Sequence, residues 1–178
     1  MSFPTWCVLR RKVYQSVADL CSAIEASGAK ISDRAKELLQ NEGFGLTSPE
    51  DDFQLPPQGK EFQLTRQEED VDLVCVSNSD LGKPEGCTLQ VTIYLAAERD
   101  LYPCPVDSAP QLREAYRDQP LGESLIVVTE PMSNSVGRLC LFALLCDDNV
   151  RWLHGFYGSP TYFRVGGKLF VFRRRKAA

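Results

Sequence analysis

Apolar residues recur at every third or fourth position near the start of the chain. Val17, Leu20 and Ile24 fall on one face of a helix, and Gly28 is a typical stop signal after it. We therefore predict an amphipathic helix over residues 9–27.

A second, shorter helix is predicted directly after the first. Ser32 can cap its start, Leu38 and Leu39 lie on its inner side, and Asn41 and Gly43 are suited to end it. Two helices so close along the chain are expected to pack as a hairpin.

The middle of the chain changes from a loop pattern to a strand pattern. Residues 46–66 combine prolines with acids and glutamines, and they predict a long surface loop because they offer little apolar area to bury. Residues 71–76 are an apolar run, and residues 89–95 alternate apolar with polar side chains. With the turn-rich residues 78–86 between them, these segments predict two antiparallel strands.

A helix and a buried strand follow. Ser108 can cap the helix, and residues 125–128, Leu-Ile-Val-Val, are typical of a strand buried on both faces. Strand, helix and strand in this order predict a crossover onto a parallel neighbour. Ser133 or Asn134 can cap a further helix, whereas residues 139–145 fit either a helix or a strand.

The last part of the chain has the pattern of a β-hairpin. Residues 162–165 and 168–173 are aromatic and β-branched, and a Gly-Gly pair lies between them. We therefore predict an α+β protein with two parts. N-terminal helices on a mixed sheet occupy residues 1–145, and a small C-terminal β-hairpin module occupies residues 146–178.

The composition of the chain limits the kinds of catalytic and metal sites that it can form. The chain of 178 residues is long enough for one domain core. Its single histidine, His154, excludes mechanisms that need two imidazoles. Seven cysteines without a Cys-x-x-Cys spacing predict neither a disulfide framework nor a zinc site, so we expect reduced, mostly packed thiols. The sequence has no signal-peptide pattern and no apolar run of roughly 18 residues, so we expect a cytosolic or nuclear protein without a membrane partner.

Charge is unevenly distributed along the chain. The net charge is −4, but Arg10, Arg11 and Lys12 near the start and residues 173–176 at the end bracket an acidic middle. Attraction of the whole protein to nucleic acid is not expected, whereas local basic contacts are.

Aromatic side chains are concentrated after residue 150. They are too numerous for so short a hairpin to bury against itself, and interfaces concentrate aromatic side chains and arginine, so we predict a partner surface there. The residues are Trp152, Phe156, Tyr157, Tyr162, Phe163, Phe170 and Phe172.

Two ordered motifs suggest a family. Residues 123–135 contain a hydrophobic strand followed by a Met-Ser-Asn-Ser turn, in which Asn134 stands where the family usually has proline. A second group follows it: Asp148, Arg151, Trp152, Gly155, Arg164, the Gly-Gly pair, Phe172 and Arg173. In this order the motifs resemble the fifth common subunit of eukaryotic nuclear RNA polymerases, although the segment between them is shorter than in that family.

The resemblance implies a fold and a function. The fold would be a helical start, a nuclease-like jaw domain and a C-terminal assembly module that docks on the largest polymerase subunit. The chain would be a non-catalytic subunit of a DNA-directed RNA polymerase in the nucleus or nucleolus, without catalytic, metal or cofactor sites of its own. The expected partner-binding residues are Asp148, Arg151, Trp152, Tyr162, Arg164, Phe172 and Arg173. Weak, sequence-independent contacts with phosphates of downstream duplex DNA would come from Arg10, Arg11 and Lys12.

Two other functions stay open. A metal-dependent nuclease would take Asp70 or Asp72 as its first acid, but residues 90–92, Gln-Val-Thr, stand where an acid-x-lysine motif belongs. We therefore interpret these aspartates as solvated residues of a strand. The other alternative is a soluble adaptor protein unrelated to transcription.

Overall fold

The computed structural model describes residues 3–40 and 61–174. The fold of this part is α+β, as predicted, with four helices and a mixed sheet. The helices are α1 (Val17–Ala26), α2 (Asp33–Gln40), α3 (Leu89–Ala97) and α4 (Ser108–Ala115). The strands are β1 (Cys7–Arg11), β2 (Ala29–Ile31), β3 (Glu69–Ser77), β4 (Cys87–Thr88), β5 (Leu101–Tyr102), β6 (Ser124–Val127), β7 (Met132–Ser133), β8 (Leu139–Asp147), β9 (Val150–Tyr157), β10 (Phe163–Arg164) and β11 (Leu169–Arg174).

One large sheet forms the centre of the fold. Its main strands follow the order β1-β3-β11-β6-β8-β9-β2, and β5 and β7 add short pairings to β11 and β8. Strand β11 is antiparallel to β3 and parallel to β6, so it joins the two halves of the sheet. Strands β4 and β10 form a separate two-stranded sheet.

Helices cover both faces of the large sheet. Helices α1, α2 and α4 pack on one face and bury side chains such as Leu20, Leu39 and Leu112. Helix α3 packs on the other face with Leu89 and Ala96. Of the described helices, none is long and apolar enough to span a membrane.

The predicted N-terminal helical hairpin is wrong. The helix expected over 9–27 exists only as α1, where the Ser16 hydroxyl accepts a hydrogen bond from the backbone N–H of Asp19. Before it, Leu9 and Arg11 are buried at alternate positions of β1, which pairs with β3. Strand β2 separates the two helices and pairs with β9.

The second helix agrees with its prediction as far as the structure describes it. The Ser32 hydroxyl caps α2 by accepting from the backbone N–H of Ala35 at 3.2 Å. The predicted stop at Asn41 and Gly43, and residues 46–60 of the predicted loop, lie outside the described residues.

The strand predicted over 89–95 is a helix. Strand β3 confirms the strand predicted over 71–76, but its neighbours are β1 and β11. In α3 the buried residues are Leu89, Thr92 and Ala96, whose spacing is helical, whereas Val91 is partly exposed. The Thr88 hydroxyl caps the helix by accepting from the backbone N–H of Val91.

The second half of the chain contains more strand than predicted. Helix α4 and strand β6 are confirmed, but the parallel neighbour of β6 is β11, so the predicted crossover is wrong. No helix starts at Ser133 or Asn134, because β7 and β8 pair as antiparallel neighbours there. Residues 139–145 are strand.

The predicted C-terminal hairpin is also wrong. Strand β10 pairs with β4, whereas β11 is a central strand of the large sheet. Position 166 requires glycine because the backbone at Pro84 lies close to it, and not because of a hairpin. A Cβ added there would lie 1.7 Å from the Pro84 carbonyl oxygen. The predicted boundary between residues 145 and 146 cuts β8, and the strands that follow it complete the same sheet as those before it.

Candidate interaction surface

The predicted partner-binding residues do not share one surface. Phe172 is fully buried in the core beside α3, so its assignment to an interface is wrong. Arg173 donates from Nε to the Pro103 carbonyl at 2.8 Å. Arg151 donates to the Tyr116 carbonyl at 3.3 Å and to that of Ser27, and it thereby ties β9 to the helical layer.

The other predicted residues remain near the surface, with one exception. Asp148 is exposed in the turn between β8 and β9, at a φ of 46°. Trp152 is half-buried with the Lys30 ammonium 5.5 Å from its ring centre. Tyr162 is exposed, whereas Arg164 is 6% exposed and belongs to the interior.

The three cations predicted to touch DNA are all paired with carboxylates. Arg10 lies 2.7 Å from Glu68, and Lys12 lies 2.9 Å from Glu114. Arg11 is buried, so its assignment to a phosphate contact is wrong. These pairings oppose the binding of a phosphate at this edge of the sheet.

The nuclease arrangement does not form. Asp70 and Asp72 are exposed on β3, but residues 90–92 belong to α3 rather than to a neighbouring strand. Among the described residues, no group of three or more His, Cys, Asp or Glu side chains is placed to hold a metal ion.

A cluster of exposed apolar side chains lies where β10 meets α3. Nine large hydrophobic residues are exposed in the described part of the chain, and five of them belong to these two segments or directly flank β10. They are Val91, Tyr94, Tyr162, Phe163 and Val165, which we call the β10–α3 patch. So compact a concentration of apolar surface is typical of a binding site.

Backbone contacts hold the two sides of the patch together. Phe163 lies opposite Thr88 in the β4–β10 pair, and Thr88 caps α3 at Val91. The Leu89 N–H donates to the Tyr162 carbonyl at 3.1 Å. Because strand residues alternate between two sides, Phe163 faces solvent while Arg164 faces inward.

The buried Arg164 side chain contacts aromatic rings and backbone beside the patch. Its guanidinium lies 3.9 Å from the ring centre of Tyr162 and 4.8 Å from that of Phe156, and it donates to the Tyr157 carbonyl. Its own carbonyl accepts from the Asn78 side chain at 3.2 Å. Burial lowers the pKa of Arg164 below its ordinary value. Its aromatic and carbonyl contacts take the place that a carboxylate has in most buried arginine sites.

A cleft of about 470 Å³ adjoins the patch. It is lined by Arg138, Leu139, Tyr157, Ser159 and Tyr162, and we call it the tyrosine cleft. Arg138 donates from Nη1 to the Tyr157 hydroxyl at 3.3 Å. The cleft and the patch meet at Tyr162, which belongs to both.

A tight turn between β7 and β8 positions Arg138. The Asn134 side-chain oxygen accepts from the backbone N–H of Val136 at 3.2 Å and from that of Arg138 at 2.8 Å. Gly137 in the same turn has a φ of +74°, a conformation that glycine adopts without strain. Asn134 therefore holds the backbone of the turn and, through it, Arg138 at the rim of the cleft.

Sequence reasoning found only part of this surface. Tyr162, Phe163 and Tyr157 were among the aromatic residues assigned to a partner surface. Tyr94 was missed because its segment was interpreted as a strand. Arg138 was missed because no motif surrounds it, although the Asn134-to-Gly137 stretch is typical of a turn that can present a side chain.

Comparison of the chain with models of known protein families, with curated proteins and with solved structures gives no match. The likeness to the polymerase subunit therefore depends on the sequence motifs alone.

Proposed function

We propose that this chain is a non-catalytic interaction protein that binds a partner protein through the β10–α3 patch. The observation that carries the proposal is the gathering of five of the nine exposed large hydrophobic side chains at this one junction. Two tyrosines and a phenylalanine are among them, and aromatic residues are enriched at protein interfaces.

Three side chains of the patch are more than half exposed. Tyr94 is 63% exposed, Phe163 is 55% exposed and Val165 is 65% exposed. Covering such side chains with a partner contributes about 25 cal/mol for each Å² removed from water. The β4–β10 pair and α3 fix the backbone at Val91, Tyr94 and Phe163, which limits the conformational entropy lost on binding.

The polymerase assignment is retained as a prediction within this proposal. Its nuclease-like jaw, its nuclear or nucleolar location and its proximity to downstream DNA depend on the sequence resemblance, while the C-terminal hairpin that should carry the docking is replaced by a central strand. The adaptor alternative requires only the surface that is present, and it is the function that the geometry supports best.

Affinity purification of the tagged chain from its native cell, followed by mass spectrometry, tests the proposal. We expect a protein that is recovered with the parent chain and lost with Phe163→Ser. Leu121→Ser is the matched control, because Leu121 is 64% exposed but lies outside the patch.

The outcomes separate the candidate functions. Recovery of catalytic polymerase subunits in a Phe163-dependent manner would support the polymerase prediction, and recovery of other proteins would support the adaptor. A partner that is retained equally by both variants, or the absence of any partner, would refute the role of the patch.

A further inference from the structure

We propose that the tyrosine cleft binds an acidic segment of the partner protein, whose carboxylates pair with Arg138 and Arg34 while its apolar side chains cover the β10–α3 patch. This inference rests on the proposed function and adds the chemistry of the partner. It follows from the charges around the cleft.

Two guanidinium groups lie near the ring of Tyr157, and one of them, Arg138, lines the cleft. The Arg34 Cζ lies 5.2 Å and the Arg138 Cζ 5.9 Å from the ring centre of Tyr157, and both arginines are exposed. Within the part of the chain that the structure describes, neither arginine forms an ion pair with a carboxylate. By contrast, the three cations near the start of the chain are all paired.

Further positive charge lies behind the cleft. Lys168 donates from Nζ to the Ser124 hydroxyl at 2.6 Å and lies 5.4 Å from the ring centre of Phe156. Burial and the nearby charge of Arg164 lower the pKa of Lys168. Lys168 and Arg164, which lies against the Tyr162 ring of the cleft, therefore repel each other.

One acid of the same helix already accepts a hydrogen bond from the turn between β7 and β8. Glu37 lies three residues after Arg34 on α2, and its Oε1 accepts from the backbone N–H of Ser135 at 2.5 Å. It thus ties the turn that carries Arg138 to α2. The guanidinium donors remain available for a carboxylate from outside.

The contacts of the rings favour a carboxylate over a nucleobase. Binding of single-stranded nucleic acid uses aromatic faces on which bases stack. At this site cations already lie against the rings of Tyr157, Tyr162 and Phe156. A guanidinium stacked on a ring keeps its N–H donors in its own plane, where they can meet a carboxylate in bidentate geometry.

Binding of defined probes to the full chain tests the inference. Fluorescence anisotropy would compare a short fluorescein-labelled peptide of glutamates and phenylalanine with the same peptide carrying glutamine in place of glutamate. We expect the glutamate peptide to bind at least about tenfold more tightly, with the difference shrinking at high salt.

Single substitutions locate the binding. Arg138→Gln should weaken binding of the glutamate peptide about tenfold, as expected for the loss of a charge-assisted pair. Arg10→Gln is the matched control, because it removes the same charge from an exposed position on the opposite edge of the sheet. Circular dichroism would show that both variants keep the fold.

Three results would overturn the inference: equal affinity for the two peptides, equal effects of Arg138→Gln and Arg10→Gln, or tighter Arg138-dependent binding of single-stranded oligothymidine.

The proposed function and this inference can be refuted independently of each other. A partner that is lost with Phe163→Ser while no charge preference exists leaves the proposed function standing without this inference. A partner unaffected by Phe163→Ser removes the proposed function, whatever the peptides do.

Discussion

Arg10 and Arg11 are neighbours on one strand, yet we expect their replacement to have very different effects on stability. The Arg11 Nε and Nη2 donate to Asp107 Oδ1 at 2.9 and 2.6 Å, and Nη1 donates to Glu69 at 2.7 Å. Arg10 lies 2.7 Å from Glu68, but those side chains are 70% and 57% exposed. The pairs have similar lengths and differ in burial.

Burial sets the magnitude of each effect. Arg11→Met leaves the fully buried Asp107 with two neutral donors, the Thr65 N–H at 2.9 Å and the Gln111 side chain at 3.0 Å. Removing the cation from a buried pair costs about 3–5 kcal/mol in the free energy of unfolding. Arg10→Met removes an exposed pair, which contributes little because water and salt screen its charges.

Urea unfolding followed by circular dichroism at neutral pH measures the difference. With a slope of about 2 kcal/mol per M, a loss of about 4 kcal/mol lowers the midpoint by about 2 M for Arg11→Met. The midpoint of Arg10→Met should remain within about 0.5 M of the parent chain.

A second substitution isolates the charge as the cause. Adding Asp107→Asn to Arg11→Met removes the unpaired carboxylate, so the double variant should regain part of the lost stability. Equal midpoints for the two arginine variants, or a double variant less stable than Arg11→Met, would refute the reasoning.

Three further predictions follow from burial, backbone geometry and charge. Phe172→Ala should lower the free energy of unfolding in urea by about 3–5 kcal/mol, because the ring is fully buried. An unchanged free energy of unfolding together with the loss of a partner would contradict this and assign Phe172 to the interface. Gly86→Ala should lower the thermal midpoint far more than Gly82→Ala, because both glycines have positive φ but only at Gly86 does the added Cβ meet a backbone oxygen, at 2.1 Å. Equal shifts would show that φ alone matters. Burial by itself raises the pKa of Glu114, but hydrogen bonds from Tyr14 and Lys12 outweigh it and hold that pKa below 4.5. The resulting stabilisation is complete above the unfolded-state pKa and is lost as the pH falls through the folded-state pKa, so Glu114→Gln should make thermal stability less sensitive to acid than in the parent chain. An unchanged acid profile would contradict this.

Local signals predicted those elements whose sequence pattern and tertiary surroundings agree. Strand β6 is buried on both faces, and its continuous apolar run is the sequence pattern of such a strand. Helix α2 starts at a serine cap, and its buried residues have helical spacing. These features can be recognised without knowing which segments they pack against.

The failures occurred where tertiary contacts decide between two patterns. In α3, alternating apolar residues imitate a strand, but a threonine cap and the burial of Thr92 and Ala96 select a helix. The predicted Gly166-Gly167 turn is present, with the Lys168 N–H donating to the Val165 carbonyl at 3.1 Å, but the strands on its two sides pair with β4 and β3 rather than with each other. The tyrosine cleft could not be predicted, because Arg138 lies in the turn before β8 and Tyr157 at the end of β9, and only the pairing of β8 with β9 brings them together.

The position of β11 has a consequence for how the molecule is made. During synthesis, β1 and β3 leave the ribosome early, and β6, β8 and β9 follow, but in the described sheet no strand pairing joins these two groups until residues 169–174 arrive. Each group meanwhile presents an unpaired strand edge, the feature through which nascent chains aggregate. Newly made protein is therefore expected to depend on chaperones until its latest described strand closes the sheet.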